Sequence, residues 1–207
     1  MRFDSLLKEA QVFNRCYNGK TCLYPLVFFT DRNRFKNIFE IVGSIPHQTM
    51  VIIRDYDLSV SARRNYGRKI VKICRNRGLK VLVGKDPVLA MDLNADGIHT
   101  PESLLASLLL WKDKKPKWIL TTACHSRSSL ARIERCGVDA TFVSPVFPTK
   151  SHPGSKTLGV DRFRKIVCDV KIPIYALGGI NDETIHFLQG TNIVGVAGID
   201  MFGSVMK

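Results

Sequence analysis

Eight short runs rich in valine and isoleucine recur along the chain, at residues 24–30, 49–54, 80–84, 96–99, 118–123, 140–144, 172–177 and 193–197, each followed by a polar turn and a helical pattern. No other feature constrains the fold so tightly. A strand that is apolar at nearly every position is buried on both faces, which is the condition of a parallel sheet covered by helices. Strict βα alternation then implies right-handed crossovers. Eight such units are expected to close as an α/β fold of the (β/α)8 TIM-barrel type, with its site at the C-terminal ends of the strands. A doubly wound open sheet is the competing arrangement.

The helical segments carry matching punctuation. Ser126 is placed to cap a helix running to about Arg135, with Cys136-Gly137 as its left-handed stop, and Arg77-Gly78 and Gln189-Gly190 are expected to end their helices likewise. Residues 1–20 read as an extra N-terminal helix covering an end of the barrel. Only ten residues follow the last strand, so the last helix must be short. No linker or repeat divides the chain, and residues 1–207 are expected to form one domain.

Composition narrows the class. The chain is 45% hydrophobic and 24% charged and has no run long enough to cross a membrane. Its first residues lack a secretory signal pattern, and the six cysteines show no CxxC spacing, so reduced thiols in the cytoplasm are expected. A metal role for those cysteines is not expected. The net charge of +13 would attract phosphates of any kind. Residues 58–85 contain no acid but nine cations, among them Arg63, Arg64, Arg68 and Lys85. With Ile70, Val71, Ile73 and Cys74 on an apolar side, the segment reads as the solvated face of a helix. RNA binding is the minority reading, since no aromatic ribonucleoprotein motif, zinc-finger spacing or basic zipper accompanies the charge.

Candidate site residues follow from the strand ends. Residues 143–159 leave a strand and continue in Pro, Ser, Thr, Gly, His and Lys, which suits a ligand loop offering Ser144, Thr149 and Ser151 to an anion. Gly178-Gly179 is expected to precede a helix, so that the backbone approaches a ligand closely and amides at the helix N-terminus point at it; Gly198-Ile199 after the eighth strand supplies a second amide cluster. Arg54 is a fixed cation at the end of the second strand, suited to phosphate or to a rim salt bridge with Asp31 or Asp55. His125 follows the fifth strand, where an imidazole can relay a proton or simply hold structure. His99 reads as a buried, hydrogen-bonded residue of the barrel mouth.

These residues together resemble the thiamine phosphate synthase and TenI family of barrels. The likeness spans about residues 24–200 and rests on Thr30-Asp31-Arg32, Ala95-Asp96-Gly97-Ile98-His99, Ala123-Cys124-His125-Ser126, Ser144-Pro145-Val146-Phe147-Pro148-Thr149 and Ala176-Leu177-Gly178-Gly179-Ile180. It implies an enzyme of thiamine assembly, a transferase or an isomerase, whose partners are phosphorylated thiazole and pyrimidine molecules or thiamine phosphate. It implies no membrane and no nucleic acid, and leaves a homo-oligomer open.

The synthase of this family joins pyrimidine to thiazole with magnesium-assisted loss of diphosphate. For this it uses a Gln-x-Arg-x-Lys pattern, an Asn-Asp pair and a further Asp. Here only Arg54 of the first pattern is kept, Gly84-Lys85 stands for the pair, and no Asp follows Thr100 before Asp113. The magnesium ligands are thus unmatched and no metal site is assigned, although Lys85 could meet a diphosphate directly. Asp86 is one position away. Asp200 takes the place of a small hydroxyl residue in the phosphate cradle, and His152 replaces a usual Lys. The TenI branch does without the metal, and one of its types tautomerises a thiazole phosphate with a histidine at the position of His125. The alternatives are therefore a tautomerase using His125, or a non-catalytic binder of a phosphorylated ligand or RNA.

Overall fold

The computed structural model describes residues 3–17, 23–150, 154 and 156–206, without the side chains of residues 204–206. Eight parallel strands, β1 (Leu26–Phe29), β2 (Thr49–Ile53), β3 (Lys80–Gly84), β4 (Gly97–Thr100), β5 (Ile119–Cys124), β6 (Ala140–Val143), β7 (Ile174–Leu177) and β8 (Gly195–Gly198), pair in sequence order, and β8 closes on β1. The closed TIM barrel excludes the open sheet. Around it lie α1 (Asp4–Cys16), α2 (Ile38–Ser44), α3 (Val60–Asn76), α4 (Pro87–Asp92), α5 (Leu105–Lys114), α6 (Arg127–Cys136) and α7 (Gly159–Val167).

The reason for the continuous apolar runs is visible in the packing. Val27 and Phe29 of β1 point into the barrel with Met50, Ile52, Leu82, Phe142 and Tyr175, whereas Leu26 and Phe28 point out to the helices with Val51, Ile53, Val81 and Val83. Each strand therefore feeds two cores with a period of two. The register is further fixed by carboxylates at the N-terminal edge: Asp96 accepts from the Val81 amide at 2.8 Å, and Asp139 from the Leu120 amide at 2.7 Å.

The N-terminal helix forms as expected but does not lie over an end of the barrel. It packs along the outer face beside β8, with Phe3 against Phe202 at one end and Asn14 by Val194 at the other. It is Tyr17 and Leu23, after the helix, that join the inner core. Leu6, Ala10 and Phe13, spaced four and three residues apart, are its buried stripe. Asn14 donates from Nδ2 to the carbonyls of Leu23 and Val194, and the Tyr17 hydroxyl donates to the carbonyl of Lys171. Ser126 caps α6 by accepting from the Ser129 amide, and Gly137 ends it at φ 65°. Two further expectations need correction. No α-helix follows Gly178-Gly179, and the segment ending at Gln189-Gly190 is only a 3-10 turn, Ile185–Leu188. Asn181 starts only a single turn, its Oδ1 accepting from the amides of Glu183 and Thr184 and its carbonyl from that of Ile185 before the chain passes into the 3-10 segment. The last helix is short, a 3-10 segment at Asp200–Met206.

The basic segment becomes α3, with Tyr66, Ile70, Val71 and Cys74 buried. Arg64 and Arg68 lie on its outer face and pair with Asp92. Arg63 does something different. Its side chain is 9% exposed and runs across the ends of β2 and β3, where Nε donates to the Arg54 carbonyl at 3.1 Å and Nη2 to the Gly84 carbonyl at 2.7 Å. The five described cysteines, Cys16, Cys74, Cys124, Cys136 and Cys168, are free thiols, and burial pushes Cys74 up to about 12.

Replacing Arg63 with Met strands buried carbonyls and is expected to lower stability by about 3 kcal/mol, while Arg64→Ala, on the solvated face, costs at most ~0.5 kcal/mol. Urea unfolding of the two variants checks this. Equal losses would show that Arg63 is no more than another surface cation.

Candidate functional site at the C-terminal mouth

At the C-terminal ends of the strands lies a cavity of about 470 Å³. Its floor is aromatic. Phe29 lines it and rests edge to face on the buried His99 and Phe142 beneath, with ring centroids 5.0 to 5.3 Å apart. Nδ1 of His99 shares a hydrogen bond of 3.0 Å with the Thr121 hydroxyl, so the expected satisfied, buried histidine is found. Burial first, and the charge of Arg54 second, hold its imidazole down to about 3 from 6.5, and the floor is uncharged at neutral pH.

The walls gather most of the residues singled out from sequence. Arg54, His125, Ser144, Thr149, Gly178, Gly179, Gly198 and Ile199 all line this cavity. Lys85 does not: it is exposed at φ 64°, with Nζ 4.3 Å from the centroid of the Tyr56 ring. Ser151 and His152 lie outside the described residues. The lining also includes Phe29, Asn181 and Met201, which the sequence does not single out. Phe29 was within reach, because alternation from the inward Val27 places it inside the barrel.

The start of the loop after β6 is held against the end of β7 by backbone bonds. Val146 donates to the Leu177 carbonyl and Phe147 to the Gly178 carbonyl, each at 3.0 Å. The glycine pair answers to this contact. A Cβ on Gly178 would meet Pro145 at 2.9 Å, one on Gly179 would meet the Pro148 carbonyl oxygen at 2.3 Å, and both residues have positive φ. The pair thus serves close packing of two loops, with no helix behind it. Among the described residues none accepts from the amides of Gly179, Ile180 or Ile199, which leaves those donors at the cavity edge.

Nδ1 of His125 lies 3.0 Å from the Ser144 carbonyl oxygen. A carbonyl can only accept, so Nδ1 carries the proton and Nε2 of the neutral ring is the basic nitrogen. Arg54 stacks over Phe29, 5.7 Å from its centroid, and its Nη2 is 3.3 Å from Asp31, the rim pairing weighed from sequence. Asp55 is engaged elsewhere, accepting from the Thr30 hydroxyl and the Arg32 amide.

For a divalent cation the relevant carboxylates are otherwise occupied. Asp86 caps α4 by accepting from the Leu89 amide at 2.9 Å and faces Arg63 at 3.5 Å. Among the described residues no three His, Cys, Asp or Glu side chains are grouped to hold a metal. Asp200, on the cavity wall, gives both its oxygens to Arg34 Nη1, at 2.7 and 2.6 Å.

The neutral floor makes a pH prediction. As pH falls through 6.5 the unfolded chain gains a proton at residue 99 that the folded protein takes up only near 3. Stability therefore declines toward acid, by about 1.4 kcal/mol per pH unit from this group. Denaturant titrations between pH 6.5 and 4.5 should show a shallower decline in His99→Asn, and identical slopes would refute the assignment.

Comparison with known proteins agrees with this architecture. The family described as "Thiamine monophosphate synthase" matches residues 26–202. A thiamine-phosphate synthase of Pyrococcus horikoshii is 30% identical over 174 residues, covering 83% of each chain, and one of Clostridium acetobutylicum is 27% identical over 195 residues, covering 89% of each. The solved thiamine phosphate pyrophosphorylase of Pyrococcus furiosus shares the fold, with a TM-score of 0.71 and 22% identity over 91% of this chain and 88% of that one. With a family match across nearly all of the barrel, the chain belongs to the thiamine monophosphate synthase family.

Proposed function

We propose that the mouth binds a phosphorylated thiazole or thiamine phosphate, with the phosphate at Gly178-Gly179 and Gly198-Ile199 and the ring above Phe29. The observation that carries this reading is the cavity itself, which joins an apolar aromatic floor to a wall of backbone amides, Ser144, Thr149 and Arg54. An aromatic ring with a phosphate tail has the same division of chemistry. Lys85 serves as an outer cation for a diphosphate leaving group.

The metal-assisted joining of pyrimidine diphosphate to thiazole phosphate is disfavoured. Lys85 stands where a magnesium carboxylate is expected, and the nearby Asp86 is held by a helix cap and Arg63. These residues do not fit magnesium, a hard cation that needs free carboxylate oxygens. A second reading, tautomerisation of a thiazole phosphate, draws on the His125–Ser144 bond, which leaves Nε2 able to take a proton from carbon and return it.

Calorimetric titration should show thiazole phosphate binding at least ~100-fold more tightly than its unphosphorylated alcohol. Equal affinities would defeat the phosphate assignment. Thiamine phosphate formation from the two precursors is expected to be weak and unchanged by magnesium, whereas strong magnesium-dependent formation would overturn the reading of Lys85. If the chain tautomerises, His125→Gln should slow proton exchange at the thiazole by about 10²-fold or more, measured by NMR. An unaltered rate would remove His125 from the chemistry.

A further inference from the structure

A line of alternating charges crosses the mouth from the second strand to the eighth. Arg54 Nη2 is 3.3 Å from Asp31 Oδ2, Arg34 Nε is 3.4 Å from that same oxygen, and Arg34 Nη1 donates to both oxygens of Asp200. Two arginines thus face two aspartates. The Arg34 side chain is 21% exposed and that of Asp200 47% exposed, so the pair borders the cavity and is partly shielded from water. Asp200 stands on the cavity wall beside Gly198 and Ile199, where a bare carboxylate would repel a phosphate.

We propose that Arg34 is the positioning residue that makes this end of the mouth accept a phosphate. By engaging both oxygens of Asp200 it cancels the charge that the carboxylate would otherwise present and turns its lone pairs away from the ligand. Asp31 holds the guanidinium from its other side, and Arg54 in turn balances Asp31. The pair joins positions 166 residues apart, β1's loop to the segment after β8, and so fixes the phosphate wall against the rim. This role rests on the phosphate placement proposed above.

The test measures dissociation constants for thiazole phosphate and for its alcohol by calorimetry. Arg34→Met should weaken the phosphate ligand by about ten-fold or more and leave the alcohol within roughly two-fold. Adding Asp200→Ser should restore phosphate affinity, because the carboxylate that needed cancelling is gone. Raising the salt should shrink the defect of Arg34→Met, since it is electrostatic. The Asp200→Ser single variant should bind phosphate more tightly than wild type, and this stands even if Arg34→Met does not fold. Parallel losses for phosphate and alcohol, no rescue in the double variant, or no tightening in Asp200→Ser would each overturn the role. A wild-type protein that does not distinguish the two ligands overturns the phosphate placement itself, whereas a discriminating wild type with an equally discriminating Arg34→Met overturns Arg34 alone.

Discussion

A parallel sheet that closes on itself has to bury both faces of every strand, and the rest of this structure depends on meeting that demand. The inner face is filled by Phe29, Phe142, Tyr175 and their neighbours, with Phe142 and Tyr175 stacked at 4.9 Å. The outer face is filled by the helices. Because the interior is packed and Tyr17 and Leu23 join it at the N-terminal end, open space arises at the other end, where loops rise above the last inward residues. The strands thereby decide where chemistry can happen, and the loops decide which chemistry it is.

The high positive charge also has a structural side. Arg75 donates to the carbonyls of Leu93 and Asn94, Arg77 to that of Ile45, Arg127 to that of Cys168, and Arg164 to those of Phe187 and Gln189. Each of these carbonyls lies at or just past a helical C-terminus, where unpaired acceptors and the helix dipole both favour a cation. With Arg63 across β2 and β3, a good part of the basic composition is engaged in fastening one element to the next. The cations that line the cavity itself are Arg54 and Lys150, with Lys85 outside it.

The eight strands were legible because burial on both faces leaves a continuous apolar signature that no turn imitates. Their ends were less so: Tyr24 and Pro25 precede β1, and Ile172 and Pro173 precede β7, since pairing register and not hydrophobicity sets where a ladder begins. The glycine pair at 178 and 179 was readable as a special backbone, but its cause was not, because the Pro145 and Pro148 atoms that demand it come from a loop more than thirty residues earlier. Likewise Asp200 stands out in the sequence as a carboxylate where the family resemblance implies a small hydroxyl residue, whereas its partner Arg34 carries no local signal. Long-range pairing of charges is a property of the folded rim.

The loop between β6 and α7 begins and ends at a narrow neck. Leu158 donates to the Pro145 carbonyl at 2.9 Å and Gly159 to that of Val146 at 3.0 Å, so the chain returns to the place it left before entering α7. A neck of this kind holds the two ends of the loop side by side. Residues can be added to or removed from the tip at a loop-closure cost of about 0.6 kcal/mol per doubling in length, without shifting Ser144 on one side or the start of α7 on the other. The length of such a loop can then change by insertion while the residues at its neck stay where they were.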